Sequence, residues 1–422
     1  MTASQNNDPR ADPPMLTVVD ALALIQSRCA CMPARRSPLH EALGRPLTEE
    51  ITAPRDSPPF DKSLVDGYAI CTADLDAGRP LVVVEEIPAG SSADRPMRPG
   101  EAAPIMTGAP MPAGAVAVVM VERSRREGEH VRLEGPIREG QNCMARGREL
   151  RAGEVVLRPR AATSRLNPRQ VGLLASMGFA QVLVNPAPRV AILPTGDELA
   201  SAGETPRLGQ IHNSNGPMLR ALVESMGLAV DDLPVAPDES GPLGELIRRG
   251  LQADVLLLSG GVSAGTRDLV PSALRDAGVV EVFHKVRIKP GKPIWFGVGP
   301  ARPDGRPGPL VFGLPGNPGG TYVGFRVFVR PALEVLGGRL DGFERSASTR
   351  SGRLSGPFAH RGDRPTYHPC TYDLATSDSV IPLPWAGSAD LRTLALADGF
   401  ALFPAGDRDY QVGDAVEVLP IE

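Results

Sequence analysis

The chain has 422 residues, 42% hydrophobic and 22% charged, with 45 Lys and Arg against 49 Asp and Glu; at roughly 100–200 residues per domain this calls for about two to four domains, and the balance excludes a disordered tail or a coiled coil. A net charge of -4 argues against wholesale binding to nucleic acid or to an anionic membrane, so neither is expected as a partner and any anion must be met locally. The 46 Gly and 44 Pro punctuate apolar runs without a period, which excludes collagen and low-complexity linkers, and 4% aromatic content leaves little stacking surface for single strands.

Residues 1–15 read as a disordered leader with no basic n-region or apolar h-region, and no later run reaches the length of a membrane span. Five scattered cysteines, Cys29, Cys31, Cys71, Cys143 and Cys370, show neither a disulfide framework nor a zinc spacing. A cytoplasmic protein with reduced thiols is expected. Thr17-Val-Val-Asp20 opens an amphipathic helix that closes near Cys29. Residues 47–145 then break into short apolar runs separated by Gly and Pro, the pattern of a β-rich module. A second helix is predicted from Asn167-Pro168 to Met177-Gly178, with Asn as cap, Pro in the first turn and Gly as the stop. It is expected to pack beside the first, which makes the β module an insertion within an N-terminal region of residues 16–186, whose helical parts are 16–46 and 146–186.

From 187 to 338 the rhythm becomes that of an α/β domain. Apolar runs at 190–193, 228–235, 254–258, 279–283, 293–298 and 309–313 alternate with helical stretches from Asn213, Ser240 and Leu269 and a last one over 319–336. Such runs predict a doubly wound, mainly parallel sheet covered on both faces. The tail, 339–422, reads as a small β-sandwich or barrel whose best helical candidate is Ala389–Ala397.

Ligands of open α/β sheets bind at the carboxyl ends of the strands. Three of the expected exits are loops of small residues: Pro194-Thr-Gly-Asp-Glu198, Ser259-Gly-Gly-Val-Ser-Ala-Gly265 and Leu314-Pro-Gly-Asn-Pro318. One such loop would simply end a strand. Three on one edge favour binding, because glycines let backbone N–H groups approach an oxyanion. No standard nucleotide fingerprint is present. In HKVRIKPGKP an extended chain would put Lys285, Arg287 and Lys289 on one face, with Lys292 close by. Carboxylates in Gly-flanked settings, Asp61, Asp66, Asp197, Glu198, Asp238 and Asp268, would oppose that cationic strip. A carboxylate beside a phosphate calls for a divalent cation, and Mg2+ takes one or two carboxylates together with substrate oxygens. Asp66, ahead of Gly67, reads better as a turn residue.

In this order, PPFDKSLVDGYA (58–69), IMTGAPMPAGAVAVVMVE (105–122), GQN with Gly147, PTGDEL (194–199), IHNSN (211–215), SGGVSAGTRD (259–268), KPGKP (289–293) and LPGNP (314–318) resemble the molybdopterin molybdenumtransferases, the bacterial MoeA proteins and the related gephyrin E domain. The resemblance runs from about residue 16 to the end. It implies a homodimer whose subunits carry an α/β domain like those of the molybdopterin adenylyltransferases and a barrel-like C-terminal domain. It also implies molybdenum cofactor biosynthesis, by Mg2+-dependent insertion of molybdate into adenylylated molybdopterin with release of AMP. Protein partners would be a molybdopterin adenylyltransferase and molybdoenzyme chaperones. Carried over by position, Asp61, Thr107, Glu198, Asp238, Asp268, Lys285 and Lys289 become the catalytic set, and Asp238 and Asp268 the metal ligands. Ser259, Gly260, Gly261, Ser263 and Gly265 would hold phosphate; Lys292, Pro315, Gly316, Asn317 and Ser388 complete the substrate site, with Lys289 and Ser388 assigned to molybdate. Met144, Arg148 and Glu149 depart from the family's G-x-N-x-R-x-x-G-E-D pattern, and Pro369 stands where many members carry an arginine, for which Arg364 can substitute. A dimeric scaffold of the gephyrin type and tungstate insertion are the competing readings.

Overall fold

The computed structural model describes residues 15–76, 78–159, 165–262, 269–339, 341–346, 348–373 and 378–421. Ser263, Gly265 and Asp268 lie outside the described residues. The chain forms two units, one of Met1–Arg35, Ala161–Arg165 and Val184–Glu422, the other of Arg36–Arg160 and Leu166–Leu183.

The first helix, α1 (Val18–Gln26), begins with the expected reciprocal cap: Thr17 Oγ1 accepts the Asp20 N–H at 3.1 Å while the Asp20 carboxylate accepts from the Thr17 backbone. Its buried residues, Ala21 and Ile25, lie one helical turn apart and join the core beneath the α/β sheet. The second predicted helix falls in the other unit.

That other unit holds a six-stranded sheet of β1 (Gly67–Cys71), β2 (Leu81–Val83), β3 (Glu101–Ile105), β4 (Ala115–Met120), β5 (Ser124–Glu127) and β6 (His130–Leu133), in the order β4-β1-β3-β2-β6-β5. Every residue of β1 is buried. Tyr68 and Ile70 enter one core and Ala69 and Cys71 the other, because successive side chains point to opposite faces. The second helix, α2 (Pro168–Ser176), starts at a capping box between Asn167 and Gln170.

In the larger unit the sheet strands are β7 (Val190–Pro194), β8 (Val230–Asp232), β9 (Val255–Ser259), β10 (Val280–His284), β11 (Trp295–Val298) and β12 (Leu310–Leu314), ordered β8-β7-β9-β12-β11-β10. The helices between them are α3 (Asn215–Ser225), α4 (Ser240–Gly250) and α5 (Val270–Asp276). Val190, Ile192, Val255 and Leu257 enter one core; Ala191, Leu193, Leu256 and Leu258 enter the other. This two-sided burial is why the strands read as unbroken apolar runs.

Four adjacent strands pair in parallel; β11 runs opposite to them, and β10, paired antiparallel to β11, runs with them again. Segments 285–294 and 299–309 are shorter than the dozen or so residues a parallel crossover needs. The last helical stretch is α6 (Pro318–Gly324), a π turn over Phe325–Val329, and α7 (Arg330–Leu336). The tail closes a five-stranded barrel of β13 (Arg350–Leu354), β14 (Thr366–Asp373), β15 (Ser379–Pro382), β16 (Gly399–Phe403) and β17 (Ala415–Pro420), with α8 (Leu391–Leu396) between β15 and β16. Tyr367, Phe400 and Leu419 of the barrel share the core that holds Phe312 and Phe328. No helix among the described residues is long and apolar enough to cross a membrane.

Candidate active site

The chain leaves β7 for β8 on one side and returns to β9 on the other, so strand order reverses between β7 and β9. Crevices open at such reversals, outside the carboxyl ends of the strands. Here a cleft of about 880 Å³ is lined by Thr195 after β7, Ser259 and Gly260 at the end of β9, and Pro315, Gly316 and Asn317 after β12. The three exits are stitched together: the Thr195 N–H donates to the Ser259 carbonyl at 3.0 Å and the Gly260 N–H to the Leu314 carbonyl at 3.1 Å.

Gly260 has φ +95°, and a Cβ there would sit 2.6 Å from the Thr195 carbonyl oxygen; Gly261 has φ +63° and a Cβ there would meet Val270 Cγ2 at 2.6 Å. Both positions therefore require glycine. Gly261 shapes the loop without lining the cleft.

The cationic wall comes from the β10–β11 connection. Lys289 and Lys292 line the cleft and Lys285 does not. The extended strip expected from alternation fails because Lys285 takes φ +74° and its N–H returns to the Ile294 carbonyl, folding the segment back. The Lys289 backbone is fixed to the barrel, its N–H donating to the Pro365 carbonyl at 2.9 Å and its carbonyl accepting the Tyr367 N–H at 2.7 Å. Arg364 joins the lysines in the lining, with one Nη donating to the Ile288 carbonyl at 3.2 Å. Pro369, on β14, is not a lining residue.

The fourth wall is the loop ahead of α8. Asp390 accepts from the Thr393 N–H at 3.0 Å and the Ala386 N–H at 3.2 Å, bonds that hold its carboxyl below the usual carboxylate range. Ser388 is presented by this braced loop. Its carbonyl accepts the Gly319 N–H at 2.8 Å and its Oγ accepts from Asn317 Nδ2 at 2.9 Å. Trp385 also lines the cleft, set edge-on against the His368 ring with centroids 5.4 Å apart. Burial holds the His368 imidazole below its ordinary value, and the Lys289 charge adds to the effect.

Sequence reasoning left Asn215 and Trp385 out of the site. Asn215 is 8% exposed; its Nδ2 donates to the Gly316 carbonyl at 2.7 Å, while its Oδ1 is buried without a hydrogen-bond partner. An orphaned acceptor in a cleft is expensive unless a ligand donor meets it. The IHNSN motif was the available signal for Asn215; nothing in the local pattern marked Trp385.

Among the predicted acids, Glu198 is exposed and lines the cleft. Asp238 does not line it: its backbone N–H donates to Asp197 Oδ1 at 3.0 Å at the exposed end of the loop after β8. The described residues contain no group of three or more His, Cys, Asp or Glu placed to hold a metal ion. Among the described residues Glu198 is the acid in the lining, and such a site suits a cation carried mainly by substrate oxygens and water, as Mg2+ is.

Asp61 and Thr107 belong to the other unit. Asp61 Oδ1 accepts the Arg146 N–H at 2.7 Å, and Thr107 donates its N–H and hydroxyl to Asp66 Oδ1 at 2.6 and 2.7 Å. Those bonds hold the Asp66 carboxyl below its ordinary value. Of the departures from the family pattern, Glu149 accepts from Ser57 Oγ at 2.8 Å and pairs with Lys62 at 3.8 Å.

Three family models match the chain: the MoeA N-terminal region (domain I and II) over residues 16–178, the Probable molybdopterin binding domain over 191–335, and the MoeA C-terminal region (domain IV) over 351–421. A molybdopterin molybdenumtransferase of Staphylococcus aureus (strain Mu50 / ATCC 700699) is 31% identical over 414 residues, covering 96% of this chain and 96% of that protein. One from Staphylococcus epidermidis (strain ATCC 12228 / FDA PCI 1200) is 31% identical over 393 residues, 91% of this chain and 90% of its own. The crystal structure of a molybdopterin biosynthesis MoeA protein from Pyrococcus horikosii superposes with a TM-score of 0.69 at 29% identity, covering 97% of this chain and 99% of that one.

Proposed function

This chain belongs to the molybdopterin molybdenumtransferase family, and its place is in molybdenum cofactor biosynthesis; from that premise we propose that it inserts molybdate into the dithiolene of adenylylated molybdopterin with release of AMP. The observation that carries this reading is the composition of one cleft. Glycine loops at a strand-order reversal meet Lys289, Lys292, Arg364 and Ser388 from the opposite walls.

In the proposed reaction two sulfur–molybdenum bonds form and one molybdate oxygen leaves with the two thiol protons as water, while water cleaves the anhydride between the two phosphates. The backbone N–H groups around Gly260 and Gly316 would cradle those phosphates, as small-residue loops at strand ends do. Lys289, Lys292 and Arg364 would neutralise the oxyanion, and the Ser388 hydroxyl would orient it. Asn215 Oδ1 would accept from a substrate N–H, the partner its burial calls for. Glu198 in the cleft lining, together with Asp268, would hold Mg2+ supplied with the substrate, which would offset charge on the phosphate oxygens. Asp61 and Thr107 would complete the site from a second subunit, so we propose a homodimer, acting in the cytoplasm and exchanging substrate and product with a molybdopterin adenylyltransferase and molybdoenzyme chaperones.

The test supplies the full chain with adenylylated molybdopterin, Mg2+ and molybdate and measures AMP. Release that depends on molybdate, and is lost in Asp268→Asn, is the expected result. AMP release indifferent to molybdate, or none, overturns the reading.

A further inference from the structure

The helical stretch that follows β12 carries a second basic pocket, which shares no lining residue with the cleft. Its origin is local. Pro331 has no N–H to give the Val327 carbonyl four residues back, and the ladder ahead of it widens into the π turn, where the Arg330 N–H reaches the Phe325 carbonyl. The same turn places Arg326 inside, 6% exposed, with its Nε and Nη1 lacking any hydrogen-bond partner. Burial pushes that guanidinium down to about 10, and the Arg330 charge adds to the shift.

Arg326 lines a pocket of about 470 Å³ together with Arg165, Arg330 and Arg339, and Glu334 is the acid in the lining. Glu334 is already shared: Oε1 lies 3.3 Å from Arg330 Nε and Oε2 lies 4.0 Å from Arg339 Nε. Among the described residues, Arg326, Arg330 and Arg339 thus face one lining carboxylate, and Arg326, the most deeply buried of them, keeps two donors unspent. A buried cation held this way is costly unless an anion completes it. Planar guanidinium donors suit tetrahedral oxyanions because two N–H groups can reach two oxygens at once.

We propose that this pocket binds a small inorganic oxyanion of the phosphate or sulfate class, held by Arg326 and Arg330 with Arg339 beside them. The test is calorimetric titration of the full chain with inorganic phosphate in chloride buffers of matched ionic strength. Four proteins are compared: the unaltered chain, Arg326→Met, a cleft variant with Lys289→Ala and Lys292→Ala, and that cleft variant with Arg326→Met added. Arg326→Met is expected to lose phosphate affinity by about tenfold or more, the scale of one or two charge-assisted hydrogen bonds. The cleft variant should retain the site. Thermal unfolding in chloride should also rise in Arg326→Met, since an uncompensated buried charge is gone. If Arg326→Met does not fold, Arg330→Gln carries the same expected loss. No phosphate binding by the cleft variant overturns the proposal, and so does binding that survives when Arg326→Met is added to the cleft variant. The first of these outcomes is also what a second copy of the chain, supplying its own carboxylate to Arg326, would produce.

Discussion

Asn317 Nδ2 donates to Ser388 Oγ at 2.9 Å, joining the loop that leaves the central sheet to the loop ahead of α8. The serine hydroxyl that would orient the oxyanion is thus aimed by a residue on the phosphate side. Ser388→Ala is expected to raise the apparent KM for molybdate by about tenfold, the value of one hydrogen bond to a charged group, with a smaller change in the KM for the pterin. Initial rates of AMP release against molybdate concentration check this; an unchanged molybdate KM removes Ser388 from the site.

Lys289 and Lys292 differ from Lys285 in lining the cleft. Lys289→Ala should reduce molybdate-dependent AMP release by roughly ten- to a hundredfold, and Lys285→Ala should reduce it less, because charge-assisted contacts fall away with distance. The remaining activity of Lys289→Ala should depend less steeply on ionic strength. A salt series on both variants decides the matter, and equal losses would restore the strip imagined from alternation.

The same substitution at two glycines should have opposite signs. Gly260→Ala forces a side chain onto φ +95° and into the Thr195 carbonyl, at a cost of about 1–3 kcal/mol. Gly172, exposed within α2, has open space where a Cβ would go, and Gly172→Ala should stabilise by about 0.5–1 kcal/mol. Denaturant unfolding of both variants is the check; stabilisation by Gly260→Ala would contradict the loop geometry.

Acid should dissolve one link in the β-rich unit. Thr107 holds the Asp66 carboxyl below its ordinary value through two hydrogen bonds. A depressed folded-state value means the contribution is fully present above the ordinary aspartate range, near pH 4, and is lost as pH falls through the lower folded value. Thr107→Val should therefore be less stable than the unaltered chain at neutral pH, with the gap closing in acid. Chemical denaturation as a function of pH measures it, and a gap independent of pH would place the effect elsewhere.

The alternation of apolar runs and caps exposed the α/β domain because β7, β9 and β12 are buried on both faces. Strand direction was not written in the same way. The one reversed strand, β11, looks like its neighbours, and only the short segments 285–294 and 299–309 on either side distinguish it. Glu198, Ser259, Gly260 and the Pro315–Asn317 loop followed from one rule, that chemistry sits after strands. Lys285 did not, since a single residue at φ +74° cancels the assumption of an extended chain. An amphipathic stripe, as in α1 and α2, says that a face is buried, not what it is buried against. Pro331 was a visible signal for the π turn, but its effect on Arg326 depends on the surrounding helix packing.

Tyr367, Phe400 and Leu419 of the barrel and Phe312 of the sheet belong to one continuous apolar interior. Two walls of the cleft accordingly rest on one packed interior, which ties the spacing of Gly316 and Arg364 to the packing beneath them. If the cleft receives a metal oxyanion as proposed, that spacing would bear on which oxyanion fits, and substitutions far below the rim, at Phe400 or Leu419, would alter it without touching a single polar group.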